Sequence, residues 1–514
     1  MGFVGSLVAQ ALSLLATLFV FAVGVIVLSV VVMFIIDISQ REDAIRRNYP
    51  VIGRFRHLFS TLGEFFRQYF FAQDREEMPF NRAQREWAYK SAAGVDNTVA
   101  FGSTQNITAV GSPIYANEIY APLDDEVSDP PFLTIGEGAR EPYQAGSLIN
   151  ISGMSFGALS APAVRALSKG AKLAGCWLNT GEGGLSDHHL SGGCDIVFQI
   201  GTAKYGVRDV HGNFSEDRLR DIAGLPQVKM VEIKLSQGAK PGKGGILPAD
   251  KVTPEIARIR GIPVGQASLS PNRHAEIANN GELLDFIARV REVSGLPTGF
   301  KTAMGGVEWL DDLCALINKR GVESAPDFIT IDSGDGGTGA APMPLIDNTA
   351  LTVREALPLV VDVLAKHKLR DRVRVICAGK LITPAEVAWA YCAGADFVNT
   401  ARGFMFALGC IQSLKCNKNT CPTGITTHQR HLQRGLDPED KAVRVKNYAG
   451  KIHYGVGLIA HACGVPHARA LERRHVRLIQ ADGKSRPLSE IYPPVEQGRT
   501  GTSAGSKSTR NGVT

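Results

Sequence analysis

From residue 148 onward one theme repeats. A short apolar run ends in glycines and polar residues, and a helical stretch follows. The runs are Leu148–Ile151, Trp177–Thr180, Ile196–Gly201, Met230–Leu235, Thr298–Thr302, Phe328–Asp332, Val373–Cys377 and Asp396–Asn399. Near-continuous apolar strands alternating with helices predict a parallel sheet buried on both faces. Eight such units predict an α/β fold closed into a (β/α)8 TIM barrel. A ninth run, Gln266–Ser270, is assigned to a long excursion after the fourth strand. Chemistry in such barrels sits on the loops at the strand C-termini. Many of the 55 glycines cluster there, where backbone must approach a ligand.

Ahead of the barrel, no charged residue occurs from Leu7 to Ile36, and Gln10 is the one strongly polar side chain. At ~1.5 Å per residue this run is long enough to cross a bilayer core. No Lys or Arg precedes it, whereas Arg41, Arg46, Arg47, Arg54 and Arg56 follow closely. That asymmetry predicts a single pass with the catalytic domain on the cytoplasmic side. Phe55, Leu58, Phe59, Leu62, Phe65, Phe66 and Tyr69 then recur at helical spacing, with Arg54, His57 and Arg67 among them. This amphipathic stretch suits either the membrane surface or the face of the catalytic domain. The expected organisation is an anchor over 1–40, a juxtamembrane helical segment over 41–90, the barrel over 91–475 and an extension over 476–514. Residues 73 to about 145 read as irregular approach structure, and the tail from about 498 as disordered.

Lys and Arg number 56 against 50 Asp and Glu, a formal charge of +6. With no basic stripe interleaved with aromatics, no nucleic-acid partner is expected. The nine cysteines form no disulfide framework. Six are scattered. The others lie in Cys410-x5-Cys416-x4-Cys421, and three thiolates within twelve residues suit a metal or an iron–sulfur cluster.

The loops carry the remaining signals. After the sixth strand, Asp332-Ser-Gly-Asp-Gly-Gly-Thr-Gly339 holds four glycines in eight residues and presents backbone N–H groups to a flat or anionic ligand. Ala378-Gly379-Lys380 and Asn399-Thr400-Ala401 follow the seventh and eighth strands, where barrels bind phosphate. A phosphorylated cofactor is therefore expected. Lys234, Gln237 and Lys240 crowd the glycine-rich loop after the fourth strand, with Arg260 beyond, and suit a substrate bearing carboxylates. Glu182 stands at the mouth after the second strand, placed to bind an amine or orient a proton transfer. His188, His189 and His274 are read as polar loop residues and not as metal ligands.

Five stretches together resemble the synthase domain of glutamate synthases, in the stand-alone form. They are Ser152-Gly-Met-Ser-Phe-Gly157, Asn179-Thr-Gly-Glu-Gly-Gly184, Gln237-Gly-Ala-Lys-Pro-Gly-x-Gly-Gly245, Ser333-Gly-Asp-Gly-Gly-Thr-Gly-Ala340 and the cysteine loop through Gly424. The resemblance spans roughly residues 90 to 475. It implies FMN, with Gly153, Met154, Ser155, Gln199, Lys234 and Lys301 around its ring. Ser333, Gly334, Asp335, Gly336, Gly337, Gly379, Lys380, Asn399 and Thr400 would complete the cofactor site. It implies a [3Fe–4S] cluster on Cys410, Cys416 and Cys421. It implies 2-oxoglutarate, or a related 2-oxo acid, held by Lys234, Gln237, Lys240 and Arg260, with Glu182, Lys240 and Lys234 catalytic. The product would be glutamate. Ferredoxin or a reductase would supply electrons, since no dinucleotide-binding Gly-x-Gly-x-x-Gly unit appears. The N-terminal glutaminase cysteine of the full enzymes has no counterpart, so ammonia would come from solution or a separate glutaminase subunit. Lys243 and Ile246 depart from the family pattern and leave another substrate open, such as an N-substituted amino acid. An electron-transfer module without its own substrate is the remaining alternative.

Overall fold

A computed structural model describes residues 2–40 and 43–495; Arg41 and the tail from about 498 lie outside the described residues. The chain divides into two compact units, Met1–Ala83 and Gln84–Thr514.

The second unit contains a closed barrel of eight strands: β1 (Ile149–Ile151), β2 (Leu178–Asn179), β3 (Ile196–Ile200), β4 (Val228–Lys234), β5 (Thr298–Thr302), β6 (Phe328–Asp332), β7 (Arg374–Ala378) and β8 (Phe397–Thr400). Every neighbouring pair is parallel, and β8 closes onto β1 with Asn399 opposite Asn150. The (β/α)8 expectation holds. The Gln266–Ser270 run stays outside the barrel, as expected: Ser268–Leu269 pairs antiparallel with Ile246–Leu247 in the excursion after β4.

Helix ends obey local chemistry. Ser160 caps the helix Ala161–Ala174 by accepting from the Ala163 N–H, and Gly175, at φ +66°, ends it. Gly170 lets this helix approach Pro438–Ala462 closely, because a Cβ there would lie 2.4 Å from the Val445 side chain. Tyr448 of the second helix reaches the Ile382 carbonyl at 2.8 Å.

The bottom of the barrel is plugged. Leu133–Ile135 and Tyr143–Ala145 pair antiparallel. Ile135 and Ala145 join a buried cluster with Trp177, Val197, Met230, Phe328, Ile376 and Phe397, residues at or near the strand N-termini. The approach segment is thus less irregular than its sequence reads: it holds this hairpin and the helix Arg82–Ala92. Three-residue strands are too short to show alternation. With the lower end filled, a ligand has only the C-terminal mouth to enter.

The first unit opens with the helix Gly2–Ser39, long and apolar enough to cross a membrane. Beyond it lie the helices Ala44–Asn48 and Ile52–Phe66. Asp37 joins all three elements. Its buried carboxylate accepts from Arg46 Nη2 at 2.7 Å, Arg54 Nη2 at 2.8 Å and the Val51 N–H at 3.0 Å. Val51 sits at φ +64°, a costly angle for a β-branched residue, and its bond to Asp37 helps hold it there. Phe55, Leu58, Phe59, Leu62, Phe66 and Tyr69 are exposed.

Candidate active site

The β1 loop forms the floor of the mouth. Ser152 N–H donates to the Thr400 carbonyl at 3.2 Å, and Met154 N–H to that of Asn179 at 3.0 Å. Gly153 faces Gly181, Asn179 and Gln199, so closely that a Cβ would lie 3.2 Å from Gly181 Cα. Ser155 accepts the Leu159 N–H at 3.0 Å and turns the loop. His189 steadies it: Nδ1 accepts from Ser186 N–H, and Nε2 lies 2.9 Å from the Met154 carbonyl. Burial pulls His189 down to about 4, so the ring is neutral at ordinary pH and donates through Nε2.

Beneath this floor Glu232 acts as a hub. Its carboxylate accepts from Asn179 Nδ2 at 2.8 Å, Gln199 Nε2 at 2.6 Å and Thr330 Oγ1 at 2.6 Å. Lys301 pairs with Asp332 at 3.3 Å, and Asp332 also accepts the Gly238 N–H at 3.2 Å. Burial opposes the Lys301 charge, but Asp332 and Glu232 outweigh it and raise its pKa.

The cationic rim closes around Glu182. Lys234 Nζ lies 3.1 Å from Glu182 Oε1 and donates to Gln237 Oε1 at 3.1 Å. Gln237 Nε2 donates to the Gly337 carbonyl at 3.0 Å, tying the loop after β4 to the loop after β6. Arg260 is buried against Ser268 Oγ at 3.1 Å, the Phe156 carbonyl at 3.3 Å and the Tyr205 ring. Burial alone would raise the Glu182 carboxyl; Lys234, Lys240 and Arg260 more than offset it and hold it below the usual range. Burial pulls Lys240 down to about 8 despite Glu182. Gly245 leaves the Glu182 carboxylate its place, since a Cβ there would push against it. Lys243 is exposed and lies outside this buried set.

On the other side, Gly379 (φ +144°) brings the β7 loop against Ser333, whose hydroxyl is buried with no hydrogen-bond partner. Gly334 N–H donates to the Leu351 carbonyl at 2.7 Å, and Gly336 N–H to that of Ser333 at 2.8 Å. Lys380 follows at φ +50°. Arg402, just past Thr400, donates to the Asp335 carbonyl, and burial pulls its pKa to about 10. Two expected cofactor residues have structural partners of their own. Asp335 Oδ2 accepts the Val353 N–H at 2.8 Å, and Asn399 Oδ1 accepts Trp177 Nε1 at 3.1 Å.

The cysteine loop runs beside the β1 loop. Cys410 feels charge on Cys416 and Cys421, and Cys416 feels charge on Cys421. Burial pushes the Cys410 thiol to about 12 and raises Cys416. At Cys421 burial is outweighed by hydroxyl and backbone donors led by Thr423, whose Oγ1 lies 3.3 Å from Sγ, and its pKa falls. Among the described residues no three His, Cys, Asp or Glu side chains converge on a single metal ion.

Residues 121–466 match the model of the conserved region in glutamate synthase. The chain belongs to the glutamate synthase family. A relative from Bacillus subtilis (strain 168), "Glutamate synthase large subunit-like protein YerD", is 38% identical over 512 residues, covering 92% of this chain and 97% of YerD. The "Archaeal glutamate synthase [NADPH]" of Methanocaldococcus jannaschii is 31% identical over 330 residues, 64% of this chain and 61% of its own. A solved flavocytochrome b2 with bound pyruvate superposes at a TM-score of 0.43 with 13% identity, over 88% of this chain and 93% of that one.

Within this family member, two residues of the mouth escaped the sequence reading. Glu232 lies inside β4, where alternation gives no hint that a carboxylate is buried. Arg402 follows a glycine-free loop and looked like the first residue of an ordinary helix.

Proposed function

We propose that this chain is a membrane-anchored synthase that reductively aminates 2-oxoglutarate to glutamate with FMN and a [3Fe–4S] cluster. The charge of the pocket carries the reading. Three buried cations, Lys234, Lys240 and Arg260, surround one carboxylate, Glu182. The surplus of positive charge suits a substrate with two carboxylates. An electron-transfer module without its own substrate has no need of such a pocket.

The chemistry of the mouth supports FMN. Glycines 153 and 379 let the β1 and β7 loops pack tightly on Gly181 and Ser333, the Ser333 hydroxyl is buried and unpartnered, and Lys380 and Arg402 are the nearby cations for a phosphate. Three cysteines on one loop, Cys410, Cys416 and Cys421, are the donor set that suits an iron–sulfur cluster. When bound, FMN supplies hydride to the substrate and the cluster relays electrons from ferredoxin or a reductase.

The protein contributes binding and proton control. Lys234, Lys240 and Arg260 fix both carboxylates, with Gln237 bracing Lys234, so the keto carbon is held in one orientation. Glu182 remains a carboxylate and faces the incoming nitrogen, whether ammonia comes from solution or from a separate glutaminase subunit. Lys240 Nζ, near 8, is the group best matched to give a proton to the departing water. The net change consumes ammonia, two electrons and two protons and releases water. Lys243 is exposed, and Ile246 sits in the two-stranded ladder beside Leu269. Neither departure alters the buried charge, which favours 2-oxoglutarate over other substrates.

The helix Gly2–Ser39 is the proposed single span, with the catalytic domain cytoplasmic by the flanking arginines. The exposed aromatic face of Ile52–Phe66 then suits the anionic leaflet. Protein extracted with detergent from carbonate-washed membranes should contain FMN and form glutamate from 2-oxoglutarate and ammonium with a chemical reductant. Holoprotein that makes no glutamate would reject the reading.

A pH dependence follows. Lys240 is protonated below about pH 8 and neutral above it. Affinity for 2-oxoglutarate should therefore weaken as pH rises through that value. Lys240→Arg, which stays cationic, should move this alkaline limb upward by at least one pH unit. Calorimetric titration from pH 6.5 to 9.5 measures both, and identical profiles would refute the assignment.

A further inference from the structure

Lys251 lies outside the substrate pocket, yet its side chain is only 2% exposed. Its ammonium donates to the Ala158 carbonyl at 2.7 Å and the Cys416 carbonyl at 3.3 Å. Ala158 closes the β1 loop that carries Met154 and Ser155, and Cys416 is the middle cysteine of the trio. Both acceptors are neutral. A buried cation held only by carbonyls is costly and demands a reason.

Tethering is not a sufficient reason, because these segments are joined without it. His428 Nε2 lies 2.8 Å from the Gly157 carbonyl, and Ser160 N–H donates to that of Ile425 at 2.8 Å. Asn419 Nδ2 donates to the Asp250 carbonyl at 3.1 Å. Three neutral contacts already bind the β1 loop and the 248–251 segment to the cysteine loop, so what Lys251 adds is its charge.

We propose that Lys251 is the resident counter-charge of the thiolate centre. A cluster on Cys410, Cys416 and Cys421 brings negative charge into a buried site. A fixed cation against the Cys416 backbone stabilises it and favours the reduced state, which carries one more electron. Lys251 would thereby hold the reduction potential of the centre up, on the side of the cysteine loop that faces the β1 loop. It is a positioning residue, acting through the centre and touching no substrate. The inference rests on the cluster reading above.

The test uses full-length, detergent-purified protein with three substitutions, reading iron per chain and an electron-paramagnetic-resonance redox titration. Lys251→Met removes donor and charge. Lys251→Gln keeps a donor for the carbonyls and is the variant safest for folding. Lys251→Arg keeps the charge. Wild type and the Arg variant should titrate alike, while the Met and Gln variants shift together to more negative potentials. Iron lost from the Gln variant but kept in the Arg variant would support the same conclusion. Neutral variants with full iron and the wild-type potential would overturn the inference alone. Wild-type protein without iron would remove the cluster reading and this inference with it.

Discussion

Lys234→Met is expected to lower kcat/KM for 2-oxoglutarate by roughly two to three orders of magnitude, the range for truncating one partner of a buried charge pair. Two losses combine. The substrate forfeits a charge-assisted contact, and Glu182 loses the cation 3.1 Å from its Oε1. Lys234 is the first of the cations that hold the Glu182 carboxyl low against burial, so without it the carboxyl pKa should rise and the anion that faces ammonia should be less well maintained. Gln237 Oε1 would also lose its Lys234 donor, leaving the Nε2 bond to the Gly337 carbonyl as the tie of that loop. KM should rise because the clamp holds the substrate's carboxylate in ground and transition states alike, and kcat should fall because the orientation of the keto carbon and the charge on Glu182 are disturbed as well. Steady-state rates with a chemical reductant decide it, with flavin content checked first. A drop under tenfold in fully flavinylated protein would show that Lys234 does not touch the substrate.

Gly379→Ala should strip the cofactor. A Cβ at 379 would lie 1.9 Å from Ser333 Oγ, and φ +144° is a region that side chains avoid. Backbone strain of roughly 1–3 kcal/mol and a comparable overpacking cost point to a total of about 2–6 kcal/mol. The strain falls where the β7 loop meets the β6 loop, the proposed phosphate cradle. The variant should therefore purify with little flavin and show at least a tenfold weaker FMN dissociation constant on reconstitution, alongside a lower melting temperature. Ser333→Ala, which relieves the clash but not the angle, should restore part of the binding when added to Gly379→Ala. Full flavin occupancy in Gly379→Ala would remove this loop from the cofactor site.

Much of the barrel was legible because its cause is local. Runs such as Ile196–Ile200 are buried along their whole length, and strands covered on both faces are mostly apolar; Gln199 is the polar exception in this one because it bonds Glu232. The glycine loops were legible for the same reason: Gly245 and Gly379 occupy places where any side chain collides. The Leu133–Ile135 and Tyr143–Ala145 plug was not legible, because each strand offers three residues and the partner that makes them apolar lies far along the chain. The cysteine trio was legible as a spacing, but spacing does not reveal that the Lys251 ammonium donates to the Cys416 carbonyl.

Residue chemistry and order alone determined the eightfold repeat, the apolar N-terminal run, the lysine-rich loop after β4 and the cysteine spacing, each readable within a few turns of chain. Tertiary structure decided which charges meet. Glu182, Lys234, Lys240 and Arg260 come from three segments, Glu232 gathers donors from three other strands, and Asp335 and Asn399 are drawn into structural bonds. Barrel closure sets those encounters, because residues distant in sequence share one mouth only when β8 pairs with β1. Electrostatic energy depends on distance and burial, neither of which the linear order of residues contains.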